Sequence, residues 1–239
     1  MFDQFIADFN LNFIQGKRWL LLLKGLGSTL LITLLALMLG IVIGVVIAMV
    51  RSTYDKTAAD ARKTFGRFMF RILNGFCKLY LTVLRGTPVV VQLMIIYFVI
   101  FASSDNGILV AALAFGLNSG AYVAEIVRGG IMSIDNGQFE AGRSLGFNYV
   151  QTMRFVIIPQ TIKNVLPALA NEFIALLKET SVAGYVAVKD LTKAGDIIRS
   201  RTYSPFLPLL AVAAIYLILV IFFSKLVALL ERRLRNSDH

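Results

Sequence analysis

The apolar residues of this chain fall in long runs, not at the spacing of a soluble fold. Residues 26–50 carry no charge, and neither do residues 86–104, 106–124 and 202–224. At ~1.5 Å per residue, a helix of such length crosses a hydrocarbon layer ~30 Å thick with some tilt. Residues 164–177 are apolar apart from Asn164, Asn171 and Glu172. That pattern fits a spanning helix with one side turned to protein or water. The runs predict an all-α integral membrane protein with five transmembrane helices, over about 26–50, 86–104, 106–127, 164–184 and 202–224.

Residues 65–83 keep a different rhythm. Phe65, Phe68, Met69, Ile72, Phe76, Leu79, Tyr80 and Val83 follow a 3.6-residue period, with Arg67, Arg71, Lys78 and Arg85 on the other face. This predicts an amphipathic helix lying at the anionic inner surface of a lipid bilayer. Small residues recur every four positions in two spans: Ala36, Gly40, Gly44 and Ala48, then Ala112, Gly116, Gly120 and Ala124. Each set forms one stripe where backbones approach closely, and helix packing within the subunit is the preferred reading.

Composition agrees. The 239 residues are 57% hydrophobic and 16% charged, with a mean hydropathy of +0.74. This excludes a disordered chain, a secreted disulfide scaffold and an ordinary cytosolic enzyme. The net charge of +10 is read as basic loops beside apolar spans and not as nucleic-acid binding. With the N-terminus outside, 16 of the 24 Lys and Arg fall in inner segments. That bias predicts N-out, C-in, although the outer segment 178–204 is itself basic. Arg232, Arg233 and Arg235 read as a stop-transfer anchor. Asp3 and Asp8 stand where a basic leader would be, so residues 1–24 read as a surface lead-in, with Phe2, Phe5, Phe9, Phe13 and Trp19 at the lipid-water boundary. Cys77 and His239 are the only cysteine and histidine. An intrachain disulfide, a Cys/His metal site and a Ser/His triad are therefore not expected, and no cofactor is. Cys77 reads as an inert residue of the amphipathic helix. No linker or second compositional regime interrupts residues 1–239, which predicts one membrane domain.

The inner loop 128–163 is too long for a turn. Asp135-Asn136-Gly137 is a turn signal, and Gln138 to Leu145 reads as a short helix capped by Asn136 or Gly137 and closed by Gly146 in a left-handed conformation. A second helical stretch, residues 149–158, is expected to stop at Pro159.

Glu140-Ala141-Gly142-x-x-x-Gly146, with Phe155 and Ile158-Pro159, resembles the EAA loop of ABC-importer permeases. Arg85-Gly86-Thr87-Pro88, residues 121–131, Gly137-Gln138, Pro159-Gln160, Lys178-Glu179-Thr180-Ser181 and Tyr216…Glu231-Arg232-Arg233 are similar to the polar amino acid branch of that family. The resemblance covers roughly residues 20–235. Gly142 departs from the general pattern, which has a second alanine there. The resemblance implies a type I importer permease of the bacterial cytoplasmic membrane. It implies a second permease subunit, a cytosolic ABC ATPase dimer, an extracytoplasmic substrate-binding protein and a polar amino acid as substrate. Glu140, Ala141, Gly142, Arg143, Leu145, Gly146 and Pro159 would then form the docking surface for the ATPase, as a coupling helix. The chain has no G-x-x-x-x-G-K-[ST], so energy must enter from a partner or an ion gradient.

Polar residues within spans are the candidates for the substrate pathway: Gln92, Asn118, Ser119, Tyr122, Asn171 and Glu172. A zwitterion needs acceptors for its ammonium and donors for its carboxylate, and these side chains supply both. Each also has a plain alternative as helix-to-helix glue. Glu125 is expected to pair with Arg128 at i, i+3. Lys178, Glu179, Lys189 and Asp190 are candidates for contact with the binding protein, within an outer segment 187–201 that reads as helical. Two other classes fit the sequence less well. A secondary amino acid transporter driven by an ion gradient would use Glu172 as its protonation site, but no internal repeat is present. An intramembrane enzyme would need paired acids or a Ser/His set within the spans, which are absent from them.

Overall fold

A computed structural model describes residues 2–57 and 65–236, and among these every regular element is helical. In chain order the helices are α1 (Phe2–Phe9), α2 (Trp19–Thr57), α3 (Phe65–Gly86), α4 (Val89–Ile95), α5 (Gly107–Met132), α6 (Asn136–Ser144), α7 (Tyr149–Thr152), α8 (Ile158–Glu179), α9 (Leu191–Thr202) and α10 (Phe206–Asn236). Three of them, α2, α5 and α10, are long and apolar enough to cross a membrane. A fourth crossing arises if α3 and the helix after it count as one broken span. Residues forming the stripe Leu31, Leu34, Met38, Val42, Val46 and Met49 are exposed on α2, as are Leu217, Ile218, Ile221 and Phe222 on α10. Exposed faces this apolar belong in lipid, not water.

Within the second predicted span the helix starts later than the charge-free run does. Residues 86–104 do not form one helix: α3 ends at Gly86, Thr87 and Pro88 are non-helical, and α4 continues as a single π turn to Ile100. Pro88 has no N–H and adopts an extended ψ of 134°, and its ring drives the preceding residue out of the helical region.

The chain divides into two compact units, each drawn from separate stretches of sequence. In the first (residues 1–37, 88–116 and 173–226), Phe13, Leu22, Leu191, Ala194, Ile198, Leu207 and Val212 make a core. Phe13 is therefore not at a lipid boundary. It is 8% exposed and packs in this core, whereas Phe5, Phe9 and Trp19 are exposed. Buried Asn12 receives a hydrogen bond from the Thr202 hydroxyl (2.8 Å) and donates to Ser204 Oγ (3.1 Å), which ties the lead-in to the end of α9.

In the second unit (residues 38–87, 117–172 and 227–239), Ala48, Val123, Val127, Ile131, Met153 and Ile157 form one core and Ile47, Cys77, Leu81, Ala121 and Ala124 another. The small-residue stripes act within the subunit, as expected: Gly44 faces Val123 and Ala124, and Gly40 faces Ser119 and Gly120. On α3 the face turned inward is Asn74, Cys77 and Leu81, with Tyr80 half-buried and donating its hydroxyl to the Leu117 carbonyl. Phe65, Phe68, Met69, Phe76, Leu79 and Val83 point outward.

Candidate functional site

The loop after α5 builds a rigid protrusion. Asp135, not Asn136 or Gly137, caps α6: its carboxylate accepts from the Gly137 amide at 2.6 Å. Lys56 from the end of α2 donates to Asn136 Oδ1 (2.7 Å) and lies 4.4 Å from the centre of the Phe139 ring. At the other end Gly146 adopts φ +81°. Its amide donates to the Arg143 carbonyl (2.9 Å), and the Phe147 amide donates to the Gly142 carbonyl (3.0 Å). These paired bonds are a Schellman closure, and only glycine reaches that φ without strain. Asn148 and Gln151 then make a reciprocal capping box, each bond 2.9 Å, that starts α7.

The stop expected at Pro159 does not occur. The chain passes through a π turn at residues 153–157 directly into α8, where Pro159 is the second residue. Pro159 has no N–H to bond back to the preceding turn, and the π turn just before it is where the ladder is already offset. From α7 through the π turn to α8 the chain is thus one continuous helical piece, and α6 packs on its start.

Glu140, Ala141, Arg143, Leu145, Gly146 and Pro159 are exposed, Leu145 to 73%. Gly142 is not: it is buried against Thr152, and a Cβ there would lie 2.6 Å from Thr152 Cγ2 and 2.7 Å from Oγ1. Glycine at this position lets α6 lie flat on α7, so its departure from alanine is a packing requirement. Gly142→Ala should therefore destabilise the protrusion by about 1–2 kcal/mol despite the better helix propensity of alanine. The double variant Gly142→Ala/Thr152→Ala, which removes both contacting atoms, should recover most of the loss. Hydrogen exchange of residues 136–157 reads the effect, and unchanged protection in the single variant would contradict the packing argument.

The polar residues of the spans are only partly gathered. Ser119 donates its hydroxyl to Glu172 Oε1 at 2.8 Å, joining α5 to α8, and Glu172 is half-buried. Asn118 donates to the Leu84 carbonyl (3.1 Å) at the end of α3. Asn171 donates to the Pro167 carbonyl of its own helix (3.2 Å) and is exposed. Tyr122 lies under the Arg85 guanidinium, 5.6 Å from ring centre to Cζ. Gln92 is buried in α4, in the other unit.

Glu125 pairs with Arg128 as its spacing predicted, at 3.1 Å. It also meets Arg51 at 3.4 Å and Arg85 at 4.0 Å, while Arg128 reaches Asp55 at 3.7 Å. Arg51 and Asp55 were missed in the sequence, because no local spacing connects α2 to a carboxylate 74 residues away.

The model of the family described as binding-protein-dependent transport system inner membrane component matches residues 40–236. The chain belongs to this family. The glutamine transport system permease protein GlnP of Escherichia coli K12 is 38% identical over 177 residues, covering 72% of this chain and 80% of its own length. The arginine transport system permease protein ArtQ of Bacillus subtilis is 37% identical over 172 residues, 71% of this chain and 78% of its own. A solved structure described as an amino acid ABC transporter with histidines superposes with a TM-score of 0.79 at 41% identity, over 92% of this chain and 96% of that one.

In this permease the residues expected to meet a binding protein divide. Lys178 and Lys189 are exposed and Glu179 is half-buried. Asp190 is fully buried, so it is not a surface group. Its carboxylate caps α9 by accepting from the Lys193 amide (2.8 Å) and the Thr192 amide (3.3 Å). Burial pushes its pKa above the ordinary 3.8, against the opposing pull of those amide bonds. A carboxylate raised in the fold stabilises the fold below its unfolded pKa, and the contribution is lost as pH rises through the folded pKa. Asp190→Asn keeps the cap without the buried charge. It should match the wild type in acid and melt progressively higher than it as pH rises above the aspartate range. Detergent-phase melting curves between pH 4 and 8 read this, and an advantage that shrank with rising pH would refute it.

Proposed function

We propose that this permease imports a polar amino acid by alternating access, driven by a cytosolic ATPase that grips α6. The observation that supports the reading is the exposed, doubly capped α6, packed through Gly142 on Thr152 of α7, with α7 running through the π turn into α8, the helix that bears Glu172. A push on such a piece has no slack joint to absorb it before it reaches a membrane-embedded carboxylate. The names of the glutamine and arginine relatives support the substrate class.

In this reading residues 1–239 form one permease domain that crosses the bilayer five times, over about 26–50, 86–104, 106–127, 164–184 and 202–224, N-terminus outside. Helix α8, which carries Asn171 and Glu172, supplies the less apolar crossing, and the shorter helical run of residues 89–100 supplies the second one. Glu140, Ala141, Arg143, Leu145, Gly146 and Pro159 present the docking surface, and Gly142 shapes it from beneath. Ser119 and Glu172 offer an acceptor to the substrate ammonium. Gln92, Asn118, Tyr122 and Asn171 line other parts of the pathway. Lys178, Glu179 and Lys189 face the extracytoplasmic binding protein, and a second permease subunit completes the channel. The chain performs no covalent chemistry, since ATP hydrolysis belongs to the partner.

Reconstitution tests this. Proteoliposomes holding the permease and its ATPase, supplied with binding protein and a polar amino acid, should take up substrate only when ATP and the ATPase are both present. Uptake driven by a pH gradient in vesicles holding the permease alone would make it a secondary transporter with Glu172 as the proton site.

A further inference from the structure

Beside the Glu125 network lies an open cleft of about 490 Å³ between α2, α3 and α5, with Arg51, Lys78, Arg85, Thr82 and Glu125 in its lining. Three cations share the cleft with one carboxylate, and neighbouring Arg128 is itself paired with Glu125 and Asp55. The cations are incompletely engaged. Arg51 offers Nη1 to Glu125, but its buried Nε has no hydrogen-bond partner among the described residues. Arg85 only reaches Glu125 at 4.0 Å and is 44% exposed along its side chain. Lys78 is exposed. A buried guanidinium nitrogen without a partner is costly, and an oxyanion is the group that relieves it.

Round α3 from the cleft lies its outward apolar face, where Phe76 is 66%, Leu79 58% and Val83 45% exposed, with Leu79 and Val83 about 100° round the helix from the cleft residues Lys78 and Thr82. Leu79 adjoins Lys78 in sequence and Val83 adjoins Thr82. Surplus positive charge and an uncovered apolar stripe thus meet along one helix. That combination matches an amphiphile with an anionic head.

We propose that the permease holds one anionic phospholipid, its phosphate between Arg51, Lys78 and Arg85 and its acyl chains along Phe76, Leu79 and Val83. A zwitterionic lipid brings its own cation to a cleft that already carries two in excess, and is disfavoured. Free phosphate satisfies the guanidinium groups but leaves the apolar stripe bare. The proposal rests on membrane residence and on the cleft, and holds whether or not α6 meets an ATPase.

The test is native mass spectrometry of the permease in detergent at low ionic strength, titrated separately with phosphatidylglycerol, phosphatidylcholine and inorganic phosphate. One phosphatidylglycerol should be retained in preference to phosphatidylcholine, and inorganic phosphate at equal concentration should not displace it. Lys78→Gln, which removes an exposed cation, should weaken retention about fivefold, and Arg85→Gln similarly. Arg71→Gln, on α3 but outside the cleft, should leave it unchanged. Glu125→Gln, which removes the competing carboxylate, should strengthen it, an effect that loss of folding does not produce. Equal retention of the two lipids would overturn the proposal, as would equal losses in Lys78→Gln and Arg71→Gln or no gain in Glu125→Gln. Displacement by inorganic phosphate would make the cleft a free-anion site and overturn the lipid assignment.

Discussion

Replacing Gly44 with leucine is expected to leave little folded permease in detergent. A Cβ at this position would sit 2.5 Å from Val123 Cγ1, 2.6 Å from Val123 Cβ and 2.8 Å from the Ala124 backbone nitrogen. Val123 and Ala124 are both essentially unexposed, so neither has room to retreat. Leucine adds three further carbons to that overlap, and α2 and α5 would have to separate along the stripe that joins them. Overpacking of a closed core costs about 1–3 kcal/mol, and contact with backbone puts this case at or above the top of that range. Gly27 lies on the same helix with nothing within 4 Å of a Cβ. Gly27→Leu therefore isolates packing from helix propensity. Fluorescence-detected melting should show Gly44→Leu lowered by about 10 °C or more and Gly27→Leu by less than about 3 °C. Similar losses at both positions would mean the stripe is not a close contact.

That stripe was legible in the sequence because small residues every four positions have one geometric meaning on a helix. The apolar runs were legible for the same kind of reason, which is why α2, α5 and α10 appear where residues 26–50, 106–127 and 202–224 were expected. The break at Pro88 was written in the sequence too, but hidden within a charge-free run: hydropathy measures lipid preference and is blind to a missing N–H. At Pro159 the chain does the opposite of what the residue suggests and stays helical. Proline within a helix forfeits the bond its missing N–H would make, and the π turn that lets the chain pass through it has no sequence signature. At the protrusion, Gly146 could be assigned its left-handed turn from its neighbours alone. Gly142 could not be assigned its role, because the reason lies in Thr152, on the next helix. The Glu125 network shows the same limit: the i, i+3 pair with Arg128 was readable, whereas Arg51 and Asp55 arrive through tertiary packing.

Leu145→Asp should uncouple the permease without unfolding it. Leu145 is 73% exposed at the C-terminal end of α6, follows the exposed Arg143 and Ser144, and serves no core of its own chain. An apolar side chain held at the tip of a polar helix is a natural anchor for a partner's groove. Burying one such anchor contributes about 2 kcal/mol or more to an interface. Replacing it with a carboxylate also places an unpaired charge in the groove. Co-purification of the ATPase should fall about tenfold or more, and ATP-driven uptake with it, while the melting temperature stays within about 2 °C of wild type. Full co-purification of the variant would place the docking contact elsewhere.

The central claim is that α6 is held by a nucleotide-driven motor, and proximity tests it most directly. The chain has one native cysteine, Cys77, and it is buried. Leu145→Cys therefore gives a single accessible thiol, to which a short photoactivatable crosslinker is attached in proteoliposomes containing the ATPase. The account predicts a crosslink to the ATPase, with a yield that changes between ATP-bound and nucleotide-free states. Crosslinks confined to the permease itself or to lipid, the same in both states, would contradict it.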